Sequence, residues 1–81
     1  MTKVQKMIAA KKRFVSWLKA KKAEDIEEFK DKDGLGFEYY NHVIAIIGDD
    51  FYGAVFMIWK GMPSIRYSNE QDDFGKLTLA S

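Results

Sequence analysis

The chain has no cysteine, one proline and one histidine. Without thiols there is no disulfide framework, no thiolate metal ligand and no cysteine nucleophile. A lone histidine, His42, cannot build a histidine metal centre. A catalytic triad around it would need a nucleophile and an orienting acid brought up by the fold. No stretch approaches the ~18 consecutive apolar residues of a membrane-spanning helix. Lysines also interrupt the N-terminal segment before it can form the apolar core of a signal peptide. The expected location is therefore cytoplasmic. Acids are missing from residues 1–22, which hold eight Lys or Arg; the other five bases and all twelve acids follow. The net charge of +1 thus conceals a basic arm and an acidic body. Such a split implies internal complementarity or attraction to an anionic partner.

Eighty-one residues predict one small domain, 1–81. A chain of that size buries only roughly 60–65% of its unfolded surface, so a partner would add substantially to its stability. The stretch Phe37–Tyr67 organises it. FEYYNHVIAII at 37–47 and FYGAVFMIWK at 51–60 are rich in β-branched and aromatic residues and read as strands. Gly48-Asp49-Asp50 between them reads as a three-residue loop that sets Ile47 against Phe51, Val43 against Val55, Tyr39 against Trp59 and Glu38 against Lys60. Gly61-Met62 is a second turn, which pairs Lys60 with Pro63, Ile65 with Ile58 and Tyr67 with Phe56. Pro63 lacks a donor and places the next strand, 64–68, at a sheet edge. This register puts Tyr40, His42, Ile44, Ile46, Tyr52, Ala54, Phe56, Ile58, Ile65 and Tyr67 on one face. The other carries Tyr39, Asn41, Val43, Ala45, Ile47, Phe51, Gly53, Val55, Met57, Trp59, Ser64 and Arg66. Both faces are largely apolar, whereas a half-solvated antiparallel sheet alternates apolar with polar.

Upstream, Val4, Met7, Ile8, Phe14, Val15, Leu18, Ile26 and Phe29 recur at helical spacing. They predict one helix over about 3–30, started by Thr2. Lys11 and Lys22 fall inside the stripe and are expected to extend past the sheet edge or meet an acid there. The acids Glu24, Asp25, Glu27 and Glu28 oppose the helix dipole in that helix's C-terminal half and mark Ala23 as a place for a break. Asp31, Asp33 and Gly34 match part of a calcium-binding EF-hand loop. Phe29 and Tyr40 then stand where its first and last ligands belong, so no calcium site is expected. A short strand is expected at 77–80, after an acidic loop containing Glu70, Asp72 and Asp73. The fold class expected is α+β: a long N-terminal helix packed on a three- to four-stranded antiparallel β-meander.

One helix covers one sheet face. The isoleucine-rich face, with His42 as a packed residue, is assigned to it. The other is left for a partner. Tyr39, Asn41, Phe51, Val55, Met57, Trp59 and Arg66 are the candidate partner-binding residues, rich in types that concentrate at interfaces. The chain reads as a non-enzymatic protein-binding module: a homodimer, an adaptor or a stoichiometric inhibitor. No catalytic residue, cofactor, metal or small-molecule substrate is assigned. The alternative is nucleic-acid binding through Lys6, Lys12, Arg13 and Lys19, expected on one outer face of the basic helix, the composition of a phosphate-backbone contact.

Overall fold

The computed structural model describes residues 2–30 and 36–68. Residues 31–35, the acidic loop expected at 70–73 and the strand expected at 77–80 lie outside them. The described part is one helix, α1 (Lys3–Ala20), packed on a four-stranded antiparallel sheet. Its strands are β1 (Glu24–Lys30), β2 (Phe37–Ile47), β3 (Asp50–Trp59) and β4 (Met62–Tyr67), and they lie side by side in sequence order. This is the expected α+β meander.

α1 begins on a capping box. The Gln5 N–H donates to Thr2 Oγ1 at 3.1 Å, and the Thr2 N–H donates to Gln5 Oε1 at 2.9 Å, so two otherwise unpaired backbone donors are satisfied. The buried stripe is Met7, Ala10, Phe14 and Leu18. The helix stops at Ala20, well short of the expected Lys30. Lys22 adopts a left-handed conformation at φ 60°. The Ala23 N–H then donates to the Leu18 carbonyl at 2.9 Å and the Lys22 N–H to the Lys19 carbonyl at 3.0 Å. Those two bonds form a Schellman ending.

The acids that opposed a longer helix become β1, whose backbone groups pair with the edge of β2. An extra residue between Glu24 and Glu27, with Asp25 at φ 52°, forms a bulge. Ile26 packs against the core and Phe29 stands beside His42 on the opposite face.

The β2–β3 connection is the two-residue turn Gly48-Asp49, with Ile47 opposite Asp50, and not a three-residue loop. Gly48 sits at φ 63°, as a type II′ hairpin turn requires, and that turn matches the strands' twist. Lys60 and Gly61 (φ 50° and 77°) likewise make a type I′ turn between Trp59 and Met62. The first turn moves the β2–β3 register by one residue from the expected one. Val43 meets Ala54, not Val55, and Tyr39 meets Ile58, not Trp59. The second turn sets Ile65 against Phe56 and Tyr67 against Ala54. Pro63 pairs with Ile58 inside β4, which an outer strand tolerates.

A one-residue slip exchanges every side chain of a strand between faces, and β2 shows that exchange. Its helix-facing residues include Asn41, Val43 and Ala45, which join Ala54, Phe56 and Ile58 of β3 in burial under α1. β3 and β4 keep the expected faces. The Phe14 ring sits 6.0 Å from that of Phe56 and 5.7 Å from that of Tyr67.

Candidate functional site

With α1 on one side of the sheet, the other side has no cover among the described residues. Its rows follow from the ladders. Phe29, His42, Val55 and Arg66 form the central row. Glu27, Ile44 and Gly53 form the row on one side; Tyr40, Met57 and Ser64 form the row on the other. Ile46 with Phe51, and Phe37 with Trp59 and Met62, complete the ends.

Several large apolar side chains here remain open: Met62 is 71% exposed, Phe51 59%, Phe29 49% and Trp59 38%. At one end the Phe37 ring lies tilted against Trp59 at 4.7 Å and edge-on to Tyr40 at 5.3 Å. The Lys60 ammonium stands 5.5 Å from the Trp59 ring centre. At the middle, a Cβ on Gly53 would lie 3.4 Å from Ile44 Cγ2 and from the Val43 carbonyl. The close approach of Ile44 fills the space a side chain would take. Fixed charge is absent from the outward positions of β2 and β3. It stands at the two edges, as Glu24 and Glu27 on β1 and Arg66 on β4, and at the β3–β4 turn, as Lys60 over Trp59.

Of the sequence-predicted partner-binding residues, Phe51, Val55, Met57, Trp59 and Arg66 share this open face. Tyr39 and Asn41 do not: they point to the helix, and Asn41 is 1% exposed. Their places are taken by Tyr40, His42, Ile44 and Ile46, which the three-residue loop had assigned to the helix side. His42 is thus not a core residue; it is half-buried in the open face, 6.0 Å from the Phe29 ring. Phe29 was missed because it continued the helical spacing. The two-residue turn could have been read from Gly48-Asp49, since glycine at the first central position is the type II′ signal.

The helix side holds a polar seam. Lys11 Nζ lies 2.7 Å from Glu28 Oε1, so Lys11 does meet an acid at the sheet edge. The hydrogen bond from Lys11 holds the Glu28 carboxyl below its ordinary pKa. Burial pushes the Tyr39 phenol above its own. Asn41 Oδ1 is buried there with no hydrogen-bond donor among the described residues. A pocket of about 330 Å³ opens beside Lys11, Tyr39 and Asn41. Lys11 is committed to Glu28, and among the described residues no nucleophile–base pair converges on the space.

The four residues of the basic alternative are exposed on α1. Lys6 and Arg13 share one side, and Lys12 and Lys19 another about 100° away around the helix. Lys3 lies apart from them and donates to the Gly61 carbonyl at 2.6 Å. Among the described residues no three His, Asp or Glu side chains gather as a metal site, and no helix is long and apolar enough to cross a membrane. No protein-family model, curated protein or solved structure matches this chain.

Proposed function

We propose that the protein binds another polypeptide through the open face of its sheet and does so without catalysis. The observation that carries this reading is the face itself: four strands wide, without fixed charge on its two central strands, and with Phe29, Phe51, Trp59 and Met62 each more than a third exposed. Contiguous apolar patches of this extent mark interaction sites in proteins. Its layout, an aromatic and aliphatic centre with charge at the rim, is that of a protein interface.

Val55 lies in the middle of the face on β3; Phe56, next to it, is fully buried under α1. Val55→Glu is expected to preserve cooperative unfolding and abolish binding, because a charge trapped in an interface without a partner costs several kcal/mol. Phe56→Glu is expected to unfold the chain. Thermal melts with co-purification and sedimentation on both variants test this. A Val55→Glu protein that keeps every association of the wild type would end the proposal.

A second reading rests on the exposure of Lys6, Lys12, Arg13 and Lys19 on α1, which suits contact with nucleic-acid phosphates. It requires affinity for a random duplex that falls steeply with salt and disappears in Lys12→Glu/Arg13→Glu. No binding at low salt removes it.

A further inference from the structure

We infer that the chain's own C-terminal segment, residues 69–81, is the resting occupant of the open face, laid over its central row and displaced when a partner binds. This rests on the protein-binding reading above and adds an intramolecular competitor to it.

The point where the chain leaves the sheet carries it first. β4 stops at Tyr67, and the next residue is pinned to β3. The Ser68 N–H donates to the Gly53 carbonyl at 2.8 Å, and Ser68 Oγ accepts from the Gly53 N–H at 2.7 Å. A Cβ on Gly53 would lie 3.6 Å from Ser68 Oγ, so the serine side chain stands on the open side with Gly53. From there the exposed Phe51 is two residues along β3, about 7 Å away. Val55 is as far in the other direction, opposite Arg66.

The second support is what the segment carries and what lies within its reach. It contains Phe74, Leu77 and Leu79, and an extended piece sends Leu77 and Leu79 to the same side. The helix side offers them no apolar surface: Leu18, Val43, Phe56 and Ile58 are fully buried there. The large apolar side chains left exposed among the described residues are Phe29, Phe51, Trp59 and Met62, and all four stand on the open face. A layer packed on a sheet lies about 10 Å above it. The eight residues 69–76 span up to roughly 26 Å, enough to rise from Ser68, reverse and set Leu77 and Leu79 over Val55.

The tether decides between this segment and a free partner at rest. A short linker holds its segment at about millimolar effective concentration. A partner's apparent affinity then falls with the fraction of chains whose face is open.

The test uses the full chain. Because it has no cysteine, Val55→Cys/Leu79→Cys and Lys12→Cys/Leu79→Cys report where the segment lies; Lys12 is exposed on α1, on the opposite side of the sheet. A short bis-maleimide should join the first pair within one chain about tenfold faster than the second. Equal rates overturn the inference. Leu77→Asp/Leu79→Asp should keep a cooperative melt and raise the binding of anilinonaphthalene sulfonate, a probe of exposed apolar surface, several-fold. Unchanged dye binding also overturns it. An association that Val55→Glu abolishes and Leu77→Asp/Leu79→Asp strengthens supports the inference and the reading beneath it. One that Val55→Glu abolishes and Leu77→Asp/Leu79→Asp leaves unchanged keeps the protein-binding reading and overturns the competitor. Fast cross-linking of the first pair in a protein without any association lost in Val55→Glu makes the segment a permanent cover and ends the protein-binding reading.

Discussion

Asn41 is the one polar side chain buried at the described core, and its Oδ1 accepts no hydrogen bond among the described residues. A buried acceptor without a donor costs on the order of 1–3 kcal/mol. Asn41→Leu removes that cost together with the side-chain hydrogen bonds of Asn41 to Glu28 and Tyr39, so it should change stability by no more than about 1 kcal/mol either way. Asn41→Asp puts a second carboxylate near Glu28 and should destabilise by several kcal/mol; chemical denaturation of the two variants separates the effects. The Lys11–Glu28 pair makes a prediction about pH. Glu28 titrates lower in the folded chain than the ordinary 4.5 of a glutamate, chiefly through the hydrogen bond from Lys11. Its contribution is thus present above about pH 4.5 and lost as pH falls through the lower folded value. In Lys11→Met this part of the acid sensitivity should vanish, so the stability curves of variant and wild type should converge below that window. Parallel curves would show that the pair contributes nothing. The pairing of Lys11 was legible because a lysine inside an apolar stripe needs somewhere to put its charge. The burial of Asn41 was not, because its face depended on the length of a turn several residues away.

The elements were legible where a local signal fixed them and failed where two signals competed. Phe37–Ile47 emerged with the bounds its composition implied. The segment Glu24–Lys30 carried helical spacing at Ile26 and Phe29 and also acids that a helix end disfavours. An edge of β2 was available to pair with it, so the sheet won. Lys22 makes the break. A left-handed lysine costs about 1 kcal/mol or more that glycine does not pay, and glycine is the usual residue at this point of a helix ending. Lys22→Gly should accordingly raise stability by up to about 1 kcal/mol with the helix content unchanged by circular dichroism. A loss of stability would mean that the lysine side chain makes a contact worth more than the strain. At the other end, Thr2→Ala removes the cap bond to Gln5 and should cost about 1 kcal/mol, read as a lower melting temperature. The swapped face of β2 has an equally local origin. The aspartates at 49 and 50 suggested a longer loop, whereas Gly48 alone sets a turn with one residue fewer.

In the whole molecule, α1 can cover only one of two apolar faces, and that conclusion did not depend on which β2 residues lay where. The wrong register still left β3 and β4 correctly sided, so Val55, Met57, Trp59 and Arg66 stand on the open face from either derivation. The sheet order has a consequence for kinetics. Among the described residues every ladder joins strands adjacent in sequence, and closing short connections carries a small entropic cost. The contacts of α1 with β2 and β3 are the ones that bridge distant parts of the chain. A meander closed through local turns can form ahead of such contacts, which places helix docking after the main folding barrier. Val43→Ala, at the middle of the β2–β3 hairpin, should then slow refolding. Leu18→Ala, on the buried stripe of α1, should hardly change refolding and should accelerate unfolding. Stopped-flow measurements across denaturant concentrations distinguish these limbs. Slowed refolding in Leu18→Ala would instead place the helix in the nucleus, and the meander would be a structure that assembles on it.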